Sequence, residues 1–116
     1  MKRSILRDRS FDFALNIVSV AISLQEKKKE YILSKQLLRS GTAIGALLRE
    51  AEFGQSRADY IHKFSISLKE ANETRYWLEL LHGSEFLSKN EFSILHNECS
   101  ELVSMLASSI NTLKNR

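Results

Sequence analysis

The sequence predicts an all-α protein, an antiparallel up-down-up-down four-helix bundle. Three observations lead there. The 116 residues include no proline and only four glycines, too few of the residues that punctuate turn-rich β structure. Apolar residues recur at helical spacing over four long segments of matched length. The breaks between those segments are short and carry cap and turn signals, and matched helices joined by short loops pack as antiparallel neighbours. At this length the chain is a single domain, 1–116, with room for a core of its own. No linker, low-complexity tract or internal repeat interrupts it.

The first helix is expected from about Ser4 to Glu26. It carries two apolar stripes: Phe11, Ala14, Leu15, Val18 and Ile22, and beside it Phe13, Ile17, Val20 and Leu24. Asp12, Asn16, Ser19 and Ser23 form one narrow polar stripe between them. A surface helix of a small monomer needs one apolar face, so the second stripe points to a further burial surface. Phe13, Ile17, Val20 and Leu24 are taken as that oligomer interface. Lys27, Lys28 and Lys29 mark a solvated corner.

The second helix, from about Glu30 to Phe53, holds the most unusual stretch, SKQLLRSGTAIGALLREAE from Ser34 to Glu52. Leu33, Leu37, Ile44, Leu48 and Ala51 keep a helical period, yet small residues crowd the middle. A helical glycine costs about 1 kcal/mol relative to alanine. Gly41 and Gly45, one turn apart, therefore need an offsetting gain, and the expected gain is close approach of another helix.

Ser56 is the expected N-cap of the third helix, with Asp59 three residues on. Ile61, Phe64, Leu68, Ala71, Leu78 and Leu81 form its stripe, and it stops at His82 and Gly83. Ser88 and Glu91 make a capping box for the fourth helix, and Leu87 with Phe92 a hydrophobic staple. Its stripe is Phe92, Leu95, Cys99, Leu102, Leu106, Ile110 and Leu113.

Composition and spacing argue against several chemistries. A single cysteine rules out an intrachain disulfide framework and fits a reducing, cytoplasmic setting. The N-terminal stretch has Asp8 and Asp12 and no apolar core, so it is a poor signal peptide. The longest uncharged run, Phe13 to Gln25, is too short to span a bilayer, and no membrane role is expected. A di-iron bundle site needs Glu-x-x-His on each of two helices. Here Glu79 with His82, and Asp59 with His62, both fall on the third helix, roughly 30 Å apart at its rise per residue. No catalytic residue, metal or cofactor is expected. Cys99 lies on an apolar stripe and reads as a buried, inert thiol. Counting outward from the Gly54 corner, Arg39 falls level with Glu70 and Glu73, so a pairing across the second and third helices is expected.

Charge is modest but uneven. The bundle end that gathers 1–14, 44–64 and 105–116 holds nine basic and five acidic residues, a balance of +4; the remainder carries −1, within a total of +3. Lys2, Arg3, Arg7, Arg9, Arg49, Arg57, Lys63, Lys114 and Arg116 are the candidate nucleic-acid contacts.

Two segments, RSGTAIGALLREAE (Arg39 to Glu52) and DYIHKFSISLKEANETRYWLELL (Asp59 to Leu81), resemble the hallmark segments of the four-helix-bundle proteins encoded in intervening sequences of bacterial 23S ribosomal RNA genes. That family includes the accessory variability determinants of diversity-generating retroelements. The resemblance covers nearly the whole chain. It carries the family pattern onto Arg39, Ser40, Gly41, Thr42, Gly45, Glu50, Lys69, Glu70, Glu73, Tyr76 and Trp77. It implies a ring-like homopentamer without known enzyme activity. It also implies RNA or DNA as a ligand and, for a chain encoded beside one, a reverse transcriptase as partner. Leu47 departs from the pattern, which commonly has Asn there. The alternative reading is a protein-binding adaptor with no nucleic-acid role, in which the apolar first helix and Trp77 make protein contacts.

Overall fold

Ser4 accepts a hydrogen bond from the Arg7 N–H and starts helix α1, Ile5–Lys28. The computed structural model describes residues 4–115, and these form three further helices: α2, Leu33–Glu52; α3, Arg57–Gly83; and α4, Lys89–Lys114. The expected caps of the last two are present. Ser56 accepts from the Asp59 N–H, and Ser88 and Glu91 form a reciprocal capping box.

Partners along each seam run in opposite numerical order. Arg7 meets Glu52 and Gln25 meets Ser34 across α1 and α2. Lys63 meets Glu50 and Thr74 meets Ser40 across α2 and α3. Cys99 lies against Ala71 and His96 against Glu79 across α3 and α4. Arg9 meets Glu101 and Asn16 meets Glu98 across α1 and α4. Each helix is thus antiparallel to both neighbours, and the diagonal pairs α1–α3 and α2–α4 do not touch at the backbone level. The result is a rod of 46 × 22 × 21 Å, close to the length of a 27-residue helix at 1.5 Å per residue.

The first corner differs from the expected one. α1 continues through Lys28, and α2 begins three residues later than the apolar period implied. Lys29 takes a left-handed conformation, φ 55°, and its N–H reaches back five residues to the Leu24 carbonyl, which also accepts from the Glu30 N–H at 3.0 Å and so closes the end of the helix. Ile32, at the N-cap position, offers no side-chain acceptor. Glu30 takes its place: its buried carboxylate accepts from the N–H groups of Ile32, Leu33 and Ser34 at 2.7–3.1 Å. Negative charge at three orphan helix donors is the favourable arrangement for a helix N-terminus.

The core is continuous along the rod. From α1 it receives Leu6, Phe13, Ile17 and Leu24; from α2 Leu37, Ile44 and Leu48; from α3 Phe64, Leu78 and Leu81; from α4 Leu95, Cys99, Leu102 and Leu106. This corrects the expectation for α1. Phe13, Ile17 and Leu24 are 1%, 0% and 3% exposed, and Val20 packs against the same cluster. Phe13, Ile17 and Leu24 line the bundle's own core and are not available to a second chain, and Val20 is partly buried against it. The other stripe faces outward, with Phe11, Leu15, Val18 and Ile22 all exposed. The physical reason lies in the continuation of each row. Leu6, Ser10, Phe13, Ile17, Ala21 and Leu24 form one unbroken seam of three- and four-residue steps facing the other helices.

Gly41 and Gly45 serve this seam. A Cβ on Gly41 would stand 2.9 Å from Ile17 Cγ2, and one on Gly45 would stand 3.2 Å from Ser10 Oγ. The close approach expected of the glycine pair is therefore to α1 of the same chain. On its other side α2 meets α3 through buried hydroxyls. Thr74 donates to Ser40 Oγ or to the Glu70 carbonyl, and Ser67 donates to the Ile44 carbonyl.

Candidate functional site

The antiparallel order brings the start of α1, the end of α2, the start of α3 and the end of α4 to one end of the rod. Of the nine basic residues expected to gather there, Lys2, Arg3 and Arg116 lie outside the described residues. The other six are at that end, but they are not equally available. Arg7 is paired with Glu52 at 2.8 Å, Lys63 with Glu50 at 2.9 Å, and Arg9 with Glu101. The Glu50 carboxylate, through its hydrogen bond and its charge, pushes the Lys63 ammonium above the ordinary lysine value. Arg57 donates to the Leu113 carbonyl, which ties the start of α3 to the end of α4. Arg49 and Lys114 make no ion pair with described residues.

Beside these cations, α1 and α2 leave an open groove of about 900 Å³. Its size falls in the upper part of the usual range for ligand sites. Small residues, Ala14, Gly45 and Ala46, line it between the helices, and Phe11 and Phe53 also face it. Phe53 is 81% exposed and Phe11 is 50% exposed. Arg7, Arg49 and Lys63 edge the same groove, with Glu50 and Asp59 among them. Sequence reasoning singled out the cations and missed the aromatics. The available signal was Phe53 itself, an aromatic set beyond the last core position of α2 and followed by Gly54 and a polar corner.

The family-pattern residues occupy two places. Gly41 and Gly45 sit on the α1 seam, and Thr42 caps its own helix turn by donating to the Leu38 carbonyl. Ser40 joins the α2–α3 hydroxyl contact. Arg39 spans to α3 as expected, pairing with Glu70 at 3.1 Å and with Glu73. Glu73 also accepts from Trp77 Nε1 at 3.2 Å, and Tyr76 packs edge-on against Trp77. Glu50 holds Lys63, while Lys69 is exposed. The Arg39 network is half open to solvent, so its contribution to stability is small, on the order of 1 kcal/mol or less.

Cys99, His82 and His96 are engaged in packing, and His62 is exposed. Burial pushes the Cys99 thiol up to about 12 despite the charge of Arg75, and Cys99 Sγ donates to the Ala71 carbonyl. His82 stacks on Phe92 with ring centres 4.4 Å apart, and His96 lies on the same ring at 4.8 Å. His96 Nε2 is 2.9 Å from Glu79. Among the described residues no three His, Cys, Asp or Glu side chains gather in a way that holds a metal ion. None of the described helices is long and apolar enough to cross a membrane.

The family model described as "23S rRNA-intervening sequence protein" matches residues 2–108. A crystal structure of a protein of unknown function from the S23 ribosomal protein family of Bacteroides thetaiotaomicron is 48% identical, with a TM-score of 0.90. The match covers 91% of this chain and 98% of that one. No curated protein matches the sequence.

Proposed function

Starting from a chain that belongs to the 23S rRNA-intervening sequence protein family, we propose a non-enzymatic, oligomeric binding module whose basic end takes nucleic acid. The observation that carries the oligomer is the outward face of α1. Leu15, Val18 and Ile22 form a continuous apolar row spanning about 11 Å along the helix, and all three are exposed. A monomer of this size rarely leaves such a row in water. On α3, across the bundle from α1, Tyr76 and Leu80 are exposed as well. Two apolar patches on non-equivalent faces favour head-to-tail association, which closes into a ring where the rotation between copies closes. That supports a cyclic oligomer over a two-fold dimer, and five is the subunit number that the family resemblance implies.

Nucleic acid is the favoured ligand because the cations lie together at one end. A ring repeats that end, so weak phosphate contacts from each copy act jointly. Ion pairing of Arg7, Arg9 and Lys63 reduces the contribution of each. Arg49, Arg57 and Lys114 carry more of the attraction in this reading.

Light scattering of the wild type and of Leu15→Glu/Val18→Glu tests the oligomer. The variant should have a lower assembly mass with its helical signal intact. A wild type that is a stable monomer at micromolar concentration refutes the oligomer. Anisotropy titrations with RNA across a salt series test the ligand. Affinity should fall steeply with salt, with a log–log slope of about −0.7 to −0.9 per neutralised phosphate. No binding at tens of micromolar favours the adaptor reading, in which the α1 row receives another protein.

A further inference from the structure

We propose that the α1–α2 groove takes an unpaired nucleotide of a single-stranded nucleic acid, its base against Phe11 and Phe53 and its phosphate on Arg49. This rests on the nucleic-acid reading above and narrows it from a basic surface to a defined site and strand type. Phosphate contacts alone are indifferent to strandedness, whereas a base reaches an aromatic ring only when it is unstacked.

Three observations on one surface carry the inference. Phe53 follows α2 at its C-terminal end and is 81% exposed, so it contributes little to the core, and Phe11, half exposed, lines the same groove. Arg49 edges the groove with no ion pair among the described residues, in contrast to its neighbours Arg7 and Lys63. The small side chains of Ala14, Gly45 and Ala46 leave a space of about 900 Å³ between the helices. Aromatic rings beside a free guanidinium are the combination single-strand binders use. Glu50 and Asp59, also in the lining, accept hydrogen bonds and so match the amino and imino donors of a base edge better than a second phosphate.

Charge separates this groove from the apolar row that continues up α1. From Asp12 to Glu26 the helix carries no lysine or arginine, so Leu15, Val18 and Ile22 suit a second copy of the chain. The cations begin only where Phe11 turns into the groove.

The test uses the full-length assembly and two fluorescent probes at low salt, a single-stranded oligoadenylate and an RNA duplex of equal length. Phe53→Ala changes a side chain outside the core, and far-UV circular dichroism with light scattering checks fold and mass. Phe53→Ala should weaken single-strand binding roughly 5- to 150-fold, the value of one base–aromatic stack, and leave duplex binding unchanged. Arg49→Gln should weaken single-strand binding and flatten its salt slope by about 0.7. Unchanged single-strand affinity in Phe53→Ala, or equal loss on both probes, overturns the groove while leaving backbone binding in place. A lowered assembly mass in Phe53→Ala assigns the groove to a neighbouring copy and overturns it also. A wild type that binds neither probe removes this inference together with the reading on which it rests.

Discussion

Gly41→Ala should destabilise the bundle, against the helix-forming tendency of alanine. On an open helix face the exchange gains about 1 kcal/mol. Here the new methyl would stand 2.9 Å from Ile17 Cγ2 and 3.0 Å from Cγ1, where carbon atoms rest at about 3.5–4.0 Å. Relief requires a shift of about 0.5–1 Å. Ile17 is fully buried and, as a β-branched residue in a helix, has one strongly preferred rotamer. Overpacking of this kind costs about 1–3 kcal/mol, which leaves a net loss of about 0–2 kcal/mol. Gly45→Ala is the control. Its nearest neighbour is Ser10 Oγ at 3.2 Å, and the Ser10 backbone is at 3.6 Å, so the methyl needs only a small adjustment and the net effect should lie between about 0 and 1 kcal/mol of gain. Urea melts followed by far-UV circular dichroism, at one fixed protomer concentration, should rank Gly41→Ala below Gly45→Ala by about 1–2 kcal/mol. An Ile17→Ala background gives the internal check. That change alone should cost about 2–5 kcal/mol. With the isoleucine gone, Gly41→Ala should turn stabilising, a coupling of about 1–3 kcal/mol. A Gly41→Ala protein that is more stable than wild type by about 1 kcal/mol, with no coupling to Ile17, refutes the close-contact reasoning.

Two further outcomes follow from the first corner. Lys29→Gly should stabilise by about 0.5–1 kcal/mol in the same melts, because φ 55° strains a side-chain-bearing residue and suits glycine. For the Glu30 carboxyl, burial by itself raises the pKa. The N–H groups of Leu33, Ser34 and Ile32 outweigh it, and the net shift is downward. A carboxyl lowered in the folded state stabilises fully above its unfolded value and loses that contribution as pH falls through the folded value. Glu30→Gln should therefore cost about 1–3 kcal/mol at neutral pH and flatten the acid limb of the stability curve.

The helices and their caps were legible because their signals are local. Ser56, Ser88 and Glu91 act within one turn of themselves, and the glycine pair announced a close contact through its cost alone. The Arg39 pairing with Glu70 and Glu73 was legible from counting outward from a single corner. The inward face of α1 was not. Phe13, Ile17 and Leu24 are no more apolar than Phe11, Leu15 and Ile22, so periodicity gives two equal answers, and only docking against Gly41 and Gly45 selects one. The start of α2 was missed for a related reason: Glu30 caps the helix from outside it, where a Ser or Asp at the cap position would have been visible. The groove was half legible. Arg7, Arg49 and Lys63 stood out as charges, but the carboxylates that pair with Arg7 and Lys63 sit one helix away, and Phe11 and Phe53 come to line one groove only after α1 and α2 are paired.

The hydroxyl contacts between α2 and α3 have a consequence for how those helices slide. Leucine-rich faces fit almost as well one turn out of step, since one leucine replaces another. Ser67 against the Ile44 carbonyl, and Thr74 against Ser40, mark one register. A one-turn slip would take Ser67 from the Ile44 carbonyl, at about 1–3 kcal/mol for a group left unsatisfied, while Thr74 and Ser40 would lose each other and keep the Glu70 and Leu37 carbonyls of their own helices. The hairpin thus carries its own alignment marks, small enough to admit close packing and polar enough to forbid the neighbouring register.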